Sequence, residues 1–351
     1  MRDLSDYAFS NARIRAMYSQ FLRPEQWEIL LHSRDVADAV ANLHDTYYSS
    51  FIREDIVRNN GLEFIERELT RHDLEIHHKI LDDMHIKGRS RKVISLLCER
   101  YELEEIKAVL RNWHARQRPG ARRHILSEAI VHLVDIARVM AARNIGELAG
   151  AFDGTHYQHA ILLASRKYHD TGSLFYIESA LDQDHFKRLW EAVDRLSAQD
   201  RAVASRLVGI EVDIENICWL LRLRQYYDFS SADLGMIMLP RGYRIDERTM
   251  RMYFLKDGLG DMVRGLAVSP YQDLATLFSR EMDRSSLSIM EDALYQSLLR
   301  EALRAMSGFP FTIGTIMAYL ILKRAETRKL TCLLYGKSYG LKPDAIKGVM
   351  P

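Results

Sequence analysis

The chain contains 351 residues, of which 47% are hydrophobic and 28% are charged, the usual composition of a globular protein. Its 49 Lys and Arg residues nearly balance its 48 Asp and Glu residues, and the net charge of +1 excludes a nucleic-acid binder that relies on a basic excess. Proline and glycine break helices, so the presence of only 7 prolines and 18 glycines predicts an all-α fold, which at this length should form two or three units.

The N-terminal sequence MRDLSDYAF contains Asp3 and Asp6 and no apolar run, so we expect no secretory signal peptide. The three cysteines, Cys98, Cys218 and Cys332, lie far apart and form no Cys-x-x-Cys pair. This spacing supports neither a zinc ribbon nor a disulfide framework, and it favours a reducing, cytosolic setting. Because apolar helical neighbours flank each cysteine, we expect buried and unreactive thiols.

The first candidate for chemistry is a polar segment ahead of the first strongly periodic helix. It contains His72, Asp73, Glu75, His77, His78, Asp82, Asp83 and His85. Glu75 and His78 could bind a metal from one helix face, but a di-iron bundle needs a second such pair. Asp82 and Asp83 resemble the start of the Asp-Asp-x-x-Asp motif of all-α terpenoid synthases, although Ile86 replaces its last Asp. We favour a solvated polar face, with an all-α metal-dependent enzyme using Asp82, Asp83 and the nearby histidines as the alternative.

Apolar residues recur at helical spacing in three segments. They are Leu103, Ile106, Val109, Leu110 and Trp113 in the first, Ile210, Ile214, Ile217 and Leu221 in the second, and Ile313, Ile316, Met317, Leu320 and Ile321 in the third. Each stripe predicts an amphipathic helix that buries one face. The most apolar stretch, Phe311–Leu322, is 12 residues long. A membrane span needs about 20 residues, so we expect no transmembrane segment.

Three smaller motifs are weaker candidates. His156 and His159 lie one helical turn apart beside Asp153, but no fourth ligand completes a structural metal site. Gly336-Lys337-Ser338 resembles the end of a phosphate-binding loop, but the earlier glycine of that loop is missing, so we interpret Gly336 as a helix-ending residue. A basic stretch after the first periodic helix is interpreted as solvated, with a phosphate or an acidic partner as the alternative. Its members are Arg116, Arg118, Arg122 and Arg123.

The three periodic helices resemble one another and indicate an internal repeat. Ile106, Ile217 and Leu330 occupy corresponding positions, separated by 111 and 113 residues. The stretches that follow the second and third copies also correspond, and each supplies an Asp near a helix start, Asp233 and Asp344. The repeat predicts three similar helical domains. Their predicted bounds are residues 1–118, 119–239 and 240–351.

Five blocks of sequence, in the same order, carry a resemblance to a known family. They are the N-terminal block Tyr7-AFSNARIRAMYSQFL, the 101–111 helix, residues 213–227, Leu239-PRGYRID, and the long block from Pro310 to Ile346. These blocks resemble the C subunit of archaeal and bacterial V-type (A-type) ATP synthases, whose counterpart in the eukaryotic vacuolar proton pump is the d subunit. The Arg-Gly-Lys turn usual after the family's repeated helix is kept only in part. The corresponding triplets are Arg111-Asn112-Trp113, Arg222-Leu223-Arg224 and Tyr335-Gly336-Lys337, which we interpret as a structural turn that has drifted.

The resemblance implies a non-catalytic central-stalk subunit of a rotary ATPase, with a funnel-like body of three helical domains in pseudo-three-fold symmetry. Such a protein couples the soluble shaft of the ATPase head to the membrane rotor ring and turns with both. ATP chemistry and proton or sodium transport then belong to other subunits. The implied partners are the shaft and ring subunits, with no nucleic acid, no cofactor and no metal. The implied location is peripheral, on the cytoplasmic face, with membrane association through the ring only.

For the partner surfaces, we expect helix termini and loops with apolar contacts rimmed by charge at the ring-facing end, and a polar pocket at the shaft-facing end. Arg13 and Arg15 are candidates for lining that pocket, with an internal salt bridge as the alternative. The candidate partner-binding residues are Asn11, Arg13, Arg15, Arg111 and Arg222. The two rival functions are the metal-dependent enzyme and a generic helical scaffold, and the scaffold predicts short repeats of about 34 or 40 residues.

Overall fold

The computed structural model of the chain describes residues 2–52, 54–115, 125–126, 129–132, 134–226, 231–255, 259–268, 270–274, 284–348 and 350. Throughout this part of the chain the regular structure is helical and contains no strand, so the predicted all-α class is confirmed. None of the helices in these ranges is long and apolar enough to cross a membrane. The predicted domain boundary at residues 118 and 119 and the basic stretch Arg116, Arg118, Arg122 and Arg123 lie outside the described residues.

The α-helices of the described residues have the following bounds. They are α1 (Arg2–Tyr18), α2 (Pro24–His32), α3 (Val36–Ala41), α4 (Glu54–Asp83), α5 (Gly88–Ala115), α6 (Ile136–Ala141), α7 (Ile145–Gly150), α8 (Tyr157–Thr171), α9 (Phe175–Asp194), α10 (Ala198–Tyr226), α11 (Glu247–Phe254), α12 (Leu259–Leu266), α13 (Arg284–Ser307), α14 (Ile313–Ser338) and α15 (Pro343–Lys347). Two 3₁₀ helices cover Tyr47–Ser50 and Ser231–Met236. The three periodic stripes lie in α5, α10 and α14, as predicted.

Six helices pack in a closed circuit. A short turn joins the two helices of each of three pairs, α4 with α5, α9 with α10, and α13 with α14. The second helix of each pair also packs on the first helix of the next pair: α5 on α9, α10 on α13, and α14 on α4. The last long helix therefore closes the circuit against the first pair.

Local sequence explains where α14 begins and ends. The Thr312 hydroxyl accepts a hydrogen bond from the N–H of Gly314 at 3.2 Å and caps the helix start. The prediction that Gly336 ends this helix is wrong, because the helix continues to Ser338 and the left-handed residue is Gly340, with φ of 67°. Gly336 instead lets α14 approach α15, since a Cβ there would lie 2.8 Å from Cγ1 of Ile346.

The hydrophobic core confirms the periodic stripes. The three anchor residues Ile106, Ile217 and Leu330 are fully buried, and burying each such side chain stabilises the fold by about 1.5–3 kcal/mol. Two of the cysteines, Cys98 and Cys218, are also buried. Burial raises the pKa of the Cys98 thiol to about 12, which suits the unreactive role expected of it.

Candidate functional site

Three charged side chains meet between the long helices α5, α10 and α14. Arg100 donates a hydrogen bond to Oε1 of Glu211, and Arg324 donates to the same oxygen at 2.5 Å. These residues are separated by 111 and 113 residues, the spacing of the predicted repeat, so they occupy corresponding positions on the three helices. Side chains at corresponding positions of three helices can meet only where the three helices come together. We call Arg100, Glu211 and Arg324 the central cluster.

Electrostatics hold the central cluster in its ionised form. Burial by itself would raise the pKa of Glu211, but the charges of Arg100 and Arg324 outweigh burial and hold that pKa at about 2. Arg100 is bound on its other side by Oε1 of Glu215, 3.2 Å from its Nη2. A buried carboxylate shared by two guanidinium groups costs several kcal/mol to break from one side, so it fixes the three helices relative to one another.

A cavity of about 440 Å³ lies beside the central cluster, on the side toward the C-terminal ends of the long helices. Its lining residues are Arg100, Tyr101, Glu104, Tyr295, Arg324 and Arg328. The guanidinium carbon of Arg328 lies 4.4 Å from the centre of the Tyr295 ring, a cation–π arrangement. The hydroxyl of Tyr295 donates to Oε1 of Glu215 at 3.3 Å. We call this space the central cavity.

The opposite side of the central cluster is closed by apolar side chains. Leu97, Val208 and Ile321, again at corresponding positions, line a residual cavity of about 30 Å³. Because corresponding residues meet in successive layers, the three long helices run in the same direction. Their N-terminal ends follow the turns at residues 84–87, 195–197 and 308–312, which we call the turn end.

A second set of corresponding residues joins each of the long helices α5, α10 and α14 to a loop elsewhere in the chain. Three buried carboxylates, Glu102 on α5, Asp213 on α10 and Glu326 on α14, lie four residues before the anchors. Each accepts a hydrogen bond from a backbone N–H in a loop outside the six helices of the circuit. The bonds run from His132 to Glu102 at 2.7 Å, from Arg244 to Asp213 at 2.8 Å and from Leu22 to Glu326 at 3.0 Å.

A tyrosine completes each of these junctions. The Tyr48 hydroxyl donates to Glu326, and the Tyr271 hydroxyl donates to Asp213 at 2.7 Å. Tyr157 lies beside Glu102, and burial together with the charge of that carboxylate raises the pKa of the phenol. We call the three junctions the Glu102 seam, the Asp213 seam and the Glu326 seam.

The triplets that depart from the Arg-Gly-Lys pattern join each long helix to the first helix of the next pair. Arg111 donates two hydrogen bonds to Glu178 on α9, at 2.8 and 2.9 Å, and Arg222 lies 2.7 Å from Glu291 on α13. In the third triplet Tyr335 donates to Glu66 on α4 at 2.9 Å. The first members of the triplets therefore form corresponding contacts within the chain. Partner binding by Arg111 and Arg222 stays a prediction.

The last members of two triplets donate to the ends of short helices. The indole N–H of Trp113 donates to the carbonyl of Ala142 after α6, at 2.8 Å. The ammonium of Lys337 donates to the carbonyls of Leu31 and Ser33 at the end of α2, at 2.5 and 2.6 Å. Such donors satisfy carbonyls that a helix end leaves without partners. The interpretation of the triplets as a drifted turn is wrong, because all three lie within the long helices α5, α10 and α14, where their side chains bind other parts of the chain.

The remaining predicted partner-binding residues lie on α1. Arg13 pairs with Asp83 at 3.2 Å, and Arg15 donates to Oδ1 of Asn11 at 3.2 Å and to the carbonyl of Met306 at 3.1 Å. Asp83 and Met306 end α4 and α13, so these arginines lie at the turn end. The residues that line the central cavity include neither Arg13 nor Arg15. Partner binding by Asn11, Arg13 and Arg15 stays a prediction.

The candidate metal ligands engage other side chains. Arg91 donates to Asp82 at 3.0 Å, and Arg13 binds Asp83. Nε2 of His72 forms a hydrogen bond with the Tyr47 hydroxyl, and Nε2 of His156 lies 3.0 Å from Oε1 of Glu99. In the described ranges, no three His, Cys, Asp or Glu side chains are arranged so that they could hold a metal ion.

Sequence reasoning missed the central cluster and the three seams. It aligned the long helices through their apolar anchors and did not compare the polar positions before them. The available signal was the register, because a charged residue stands six positions before each anchor and a carboxylate four positions before each anchor. Reading all positions of the aligned helices would have found both sets.

Comparison with known proteins identifies a matching family over nearly the whole chain. Residues 10–349 match the family described as the ATP synthase (C/AC39) subunit. The C subunit of the A-type ATP synthase of Methanocaldococcus jannaschii is 21% identical over 99% of this chain and 87% of its own length. The proteins of the same name from Methanosarcina mazei and Archaeoglobus fulgidus are 25% and 23% identical, each over 98% of this chain and over 92% and 96% of their own lengths.

Proposed function

We propose a coupling role for this chain, which belongs to the ATP synthase (C/AC39) subunit family and is thus a non-catalytic subunit of a rotary ATPase. In the proposed role it joins the soluble shaft of the ATPase head to the membrane rotor ring and transmits torque between them. The observation that supports this role best is the central cluster, in which corresponding residues of three long helices meet around one line. Similar surfaces arranged around a line suit a part that turns about that line.

We propose three similar domains, with bounds at residues 1–118, 119–239 and 240–351, in pseudo-three-fold symmetry. The support is that three kinds of contact recur at corresponding positions: the buried carboxylates, the tyrosines beside them, and the first residues of the triplets. Each contact joins one domain to the next, and the Glu326 seam joins the third to the first. The closed circuit of helices has the same order.

Rigidity follows from the same contacts. One charge crossing 100 mV delivers about 2.3 kcal/mol, and a coupling part has to pass on that energy without internal sliding. Helices packed at interior density deform little. The seams add buried hydrogen bonds that fix each domain against its neighbour, so applied torque turns the body as a whole.

We assign the shaft to the end that holds the central cavity and the ring to the turn end. The turn end exposes two large apolar side chains, Phe9 and Phe309, which are 50% and 52% exposed. Charged residues such as Arg13 and Asp83 lie nearby, which matches the expected apolar surface rimmed by charge. Membrane association through the ring, on the cytoplasmic face, follows from this assignment. Asn11, Arg13 and Arg15 are then proposed to contact the ring.

Co-purification from detergent-solubilised membranes tests the proposal. The tagged wild-type chain should recover both shaft and ring subunits. Combining Phe9→Asp with Phe309→Asp should remove the ring subunits and retain the shaft subunits. Leu163→Asp is the matched control, because Leu163 on α8 is 66% exposed and belongs to neither assigned surface. Recovery of neither set by the wild-type chain would contradict the proposed function.

A further inference from the structure

Three residues at corresponding positions near the central cavity do not carry the same charge. Glu104 and Arg328 line the cavity, and Glu215 lies behind its wall, bonded to the lining residues Arg100 and Tyr295. Glu104 on α5, Glu215 on α10 and Arg328 on α14 lie four residues beyond the members of the central cluster. Glu104 has half of its side chain exposed, Glu215 a quarter, and Arg328 is an exposed residue. We call these three residues the central mouth. Its backbone pattern repeats three times, whereas its charges are negative, negative and positive.

The unequal charges are held in place by specific contacts. Stacking on the Tyr295 ring restricts the Arg328 guanidinium, and the Tyr295 hydroxyl is bonded to Glu215, so one tyrosine positions two members of the central mouth. Lys107 donates a hydrogen bond to Glu104 at 3.0 Å and also lies 2.5 Å from Asp182, so one ammonium is shared by two carboxylates and these three groups together keep a negative charge. Burial raises the pKa of Asp292 on α13 to about 6, and the positive charge of Arg328 opposes this shift.

A binding site with three equivalent walls does not fix the rotational orientation of the shaft that it binds. A shaft seated in it could occupy three orientations related by rotations of one third of a turn, with equal binding free energy. Unequal charges remove that degeneracy, because an acidic group that faces Arg328 in one orientation faces Glu104 or Glu215 in the other two. Like charges brought together at an interface weaken binding strongly, so charge arrangement fixes register.

We propose that the central mouth sets the rotational register of the shaft by charge, and that the shaft presents an acidic side chain to Arg328 and a basic side chain to Glu104. This inference rests on the proposed function. The occupant is a proteinaceous shaft end, because the central cavity, at about 440 Å³, holds a few side chains and its opening carries both signs of charge. Arg328 and Glu104 are the specificity-determining residues, and Tyr295 is a positioning residue.

The test moves the positive charge by one domain. Glu104→Arg combined with Arg328→Glu changes the order on α5, α10 and α14 from negative, negative, positive to positive, negative, negative. Arg328→Glu alone should weaken binding of the purified shaft subcomplex to the full chain by tenfold or more. The double variant should recover most of the affinity. Its shaft should seat one third of a turn away from the wild-type orientation.

Register is measured as a distance between two spin labels. One label replaces Leu163 on α8, with the half-buried Cys332 changed to Ser, and the other lies on one side of the shaft. The wild-type chain should give one distance and the double variant a different single distance. An unchanged distance in the double variant, or unchanged affinity in Arg328→Glu, would overturn the proposal. Either result would leave the proposed function standing, whereas absence of shaft binding by the wild-type chain would remove the proposed function itself.

A single substitution tests the same proposal if the double variant does not fold. Arg328→Gln changes one exposed side chain, and thermal unfolding should match the wild type. Several-fold weaker binding with more than one label distance supports the register proposal. Wild-type affinity with one distance overturns it. Arg328→Lys, which keeps the charge, should retain the wild-type register.

Discussion

The Asp213 seam and the Glu326 seam contain the same parts but balance their charge differently. In both, a buried carboxylate on a long helix accepts hydrogen bonds from a tyrosine hydroxyl and from a backbone N–H of a loop. At the Glu326 seam, Lys323 lies 3.5 Å from the carboxylate and donates to the Tyr48 hydroxyl at 2.8 Å. At the Asp213 seam, the hydrogen-bond donors to the carboxylate are the Tyr271 hydroxyl and the backbone N–H groups of Arg244 and Ile245.

The two seams also differ in how closely the backbone approaches. Asp213 is one methylene shorter than Glu326, so the loop that donates to it has to come nearer to α10. Two glycines permit this approach. A Cβ on Gly242 would lie 1.9 Å from Oδ1 of Asp213, and a Cβ on Gly209 would lie 3.0 Å from the backbone of Tyr243. In the long helices α5 and α14, Cys98 and Leu322 stand at the position of Gly209.

The arrangement of the backbone recurs at the two seams, while the chemistry that balances the carboxylate does not. A neutral set of donors and a buried lysine both hold a carboxylate at the same place in the fold. The central mouth follows the same rule, with unequal charges on equal backbone positions. In our proposal, this inequality lets a nearly symmetric body bind an asymmetric shaft in one orientation.

The largest effect should come from removing the cation of the Glu326 seam. Lys323→Met leaves Glu326 buried without its ion-pair partner, and breaking a buried pair from one side costs about 3–5 kcal/mol. Urea unfolding of the full chain measures the change in free energy. Lys347→Met is the control, because its pairing with Glu28 is exposed and should contribute little. A decrease of less than about 1 kcal/mol in the free energy of unfolding of Lys323→Met would show that the Glu326 seam does not depend on its cation.

A smaller effect should come from blocking the close approach at the Asp213 seam. In Gly242→Ala, the new Cβ would meet both Oδ1 of Asp213 and the carbonyl of Ile245, at 1.9 and 2.4 Å. The loop or α10 would have to shift, at a cost of about 2–3 kcal/mol. Gly150→Ala serves as the control, since its nearest neighbour is the terminal Nη2 of the flexible Arg138 side chain at 3.4 Å. Equal stability of both variants in urea unfolding would contradict this account of the seam.

The smallest effect should appear as a pH dependence that separates Asp213 from the central cluster. Burial raises the pKa of Asp213 from 3.8 to about 6, although the hydrogen bonds of Tyr271 and of backbone N–H groups oppose it. A raised pKa means that the folded chain binds this proton more tightly than the unfolded chain. The residue therefore gives more stability at low pH, and loses it as the pH rises through about 6.

The measurement is the free energy of unfolding of wild type and Asp213→Asn at pH 7 and pH 5. The wild type should gain about 1 kcal/mol relative to the variant on acidification, because only the wild type takes up this proton. For Glu211→Gln the difference from wild type should stay nearly constant over this range, since the Glu211 pKa, about 2, lies well below it. A constant difference for Asp213→Asn would indicate that this carboxyl does not titrate as proposed.

Much of the fold could be predicted from sequence because it depends on regular patterns. The apolar stripes located α5, α10 and α14, and low proline content predicted an all-helical chain. The register of the aligned helices marks the seam carboxylates, but their partners could not be predicted, because the backbone N–H groups that bind Glu102 and Asp213 lie in loops 30 and 31 positions away. Gly336 illustrates the same limit, since its close contact with Ile346 is a tertiary requirement that imitates a helix-ending signal.

Electron cryomicroscopy of the rotary complex, purified through a tag on this chain, tests the coupling role most directly. We predict one copy on the rotor axis, with the shaft end seated in the central cavity beside Arg328 and with Phe9 and Phe309 against the membrane ring. A copy lying away from the axis, or an axial copy whose central cavity faces neither shaft nor ring, would contradict the proposed role.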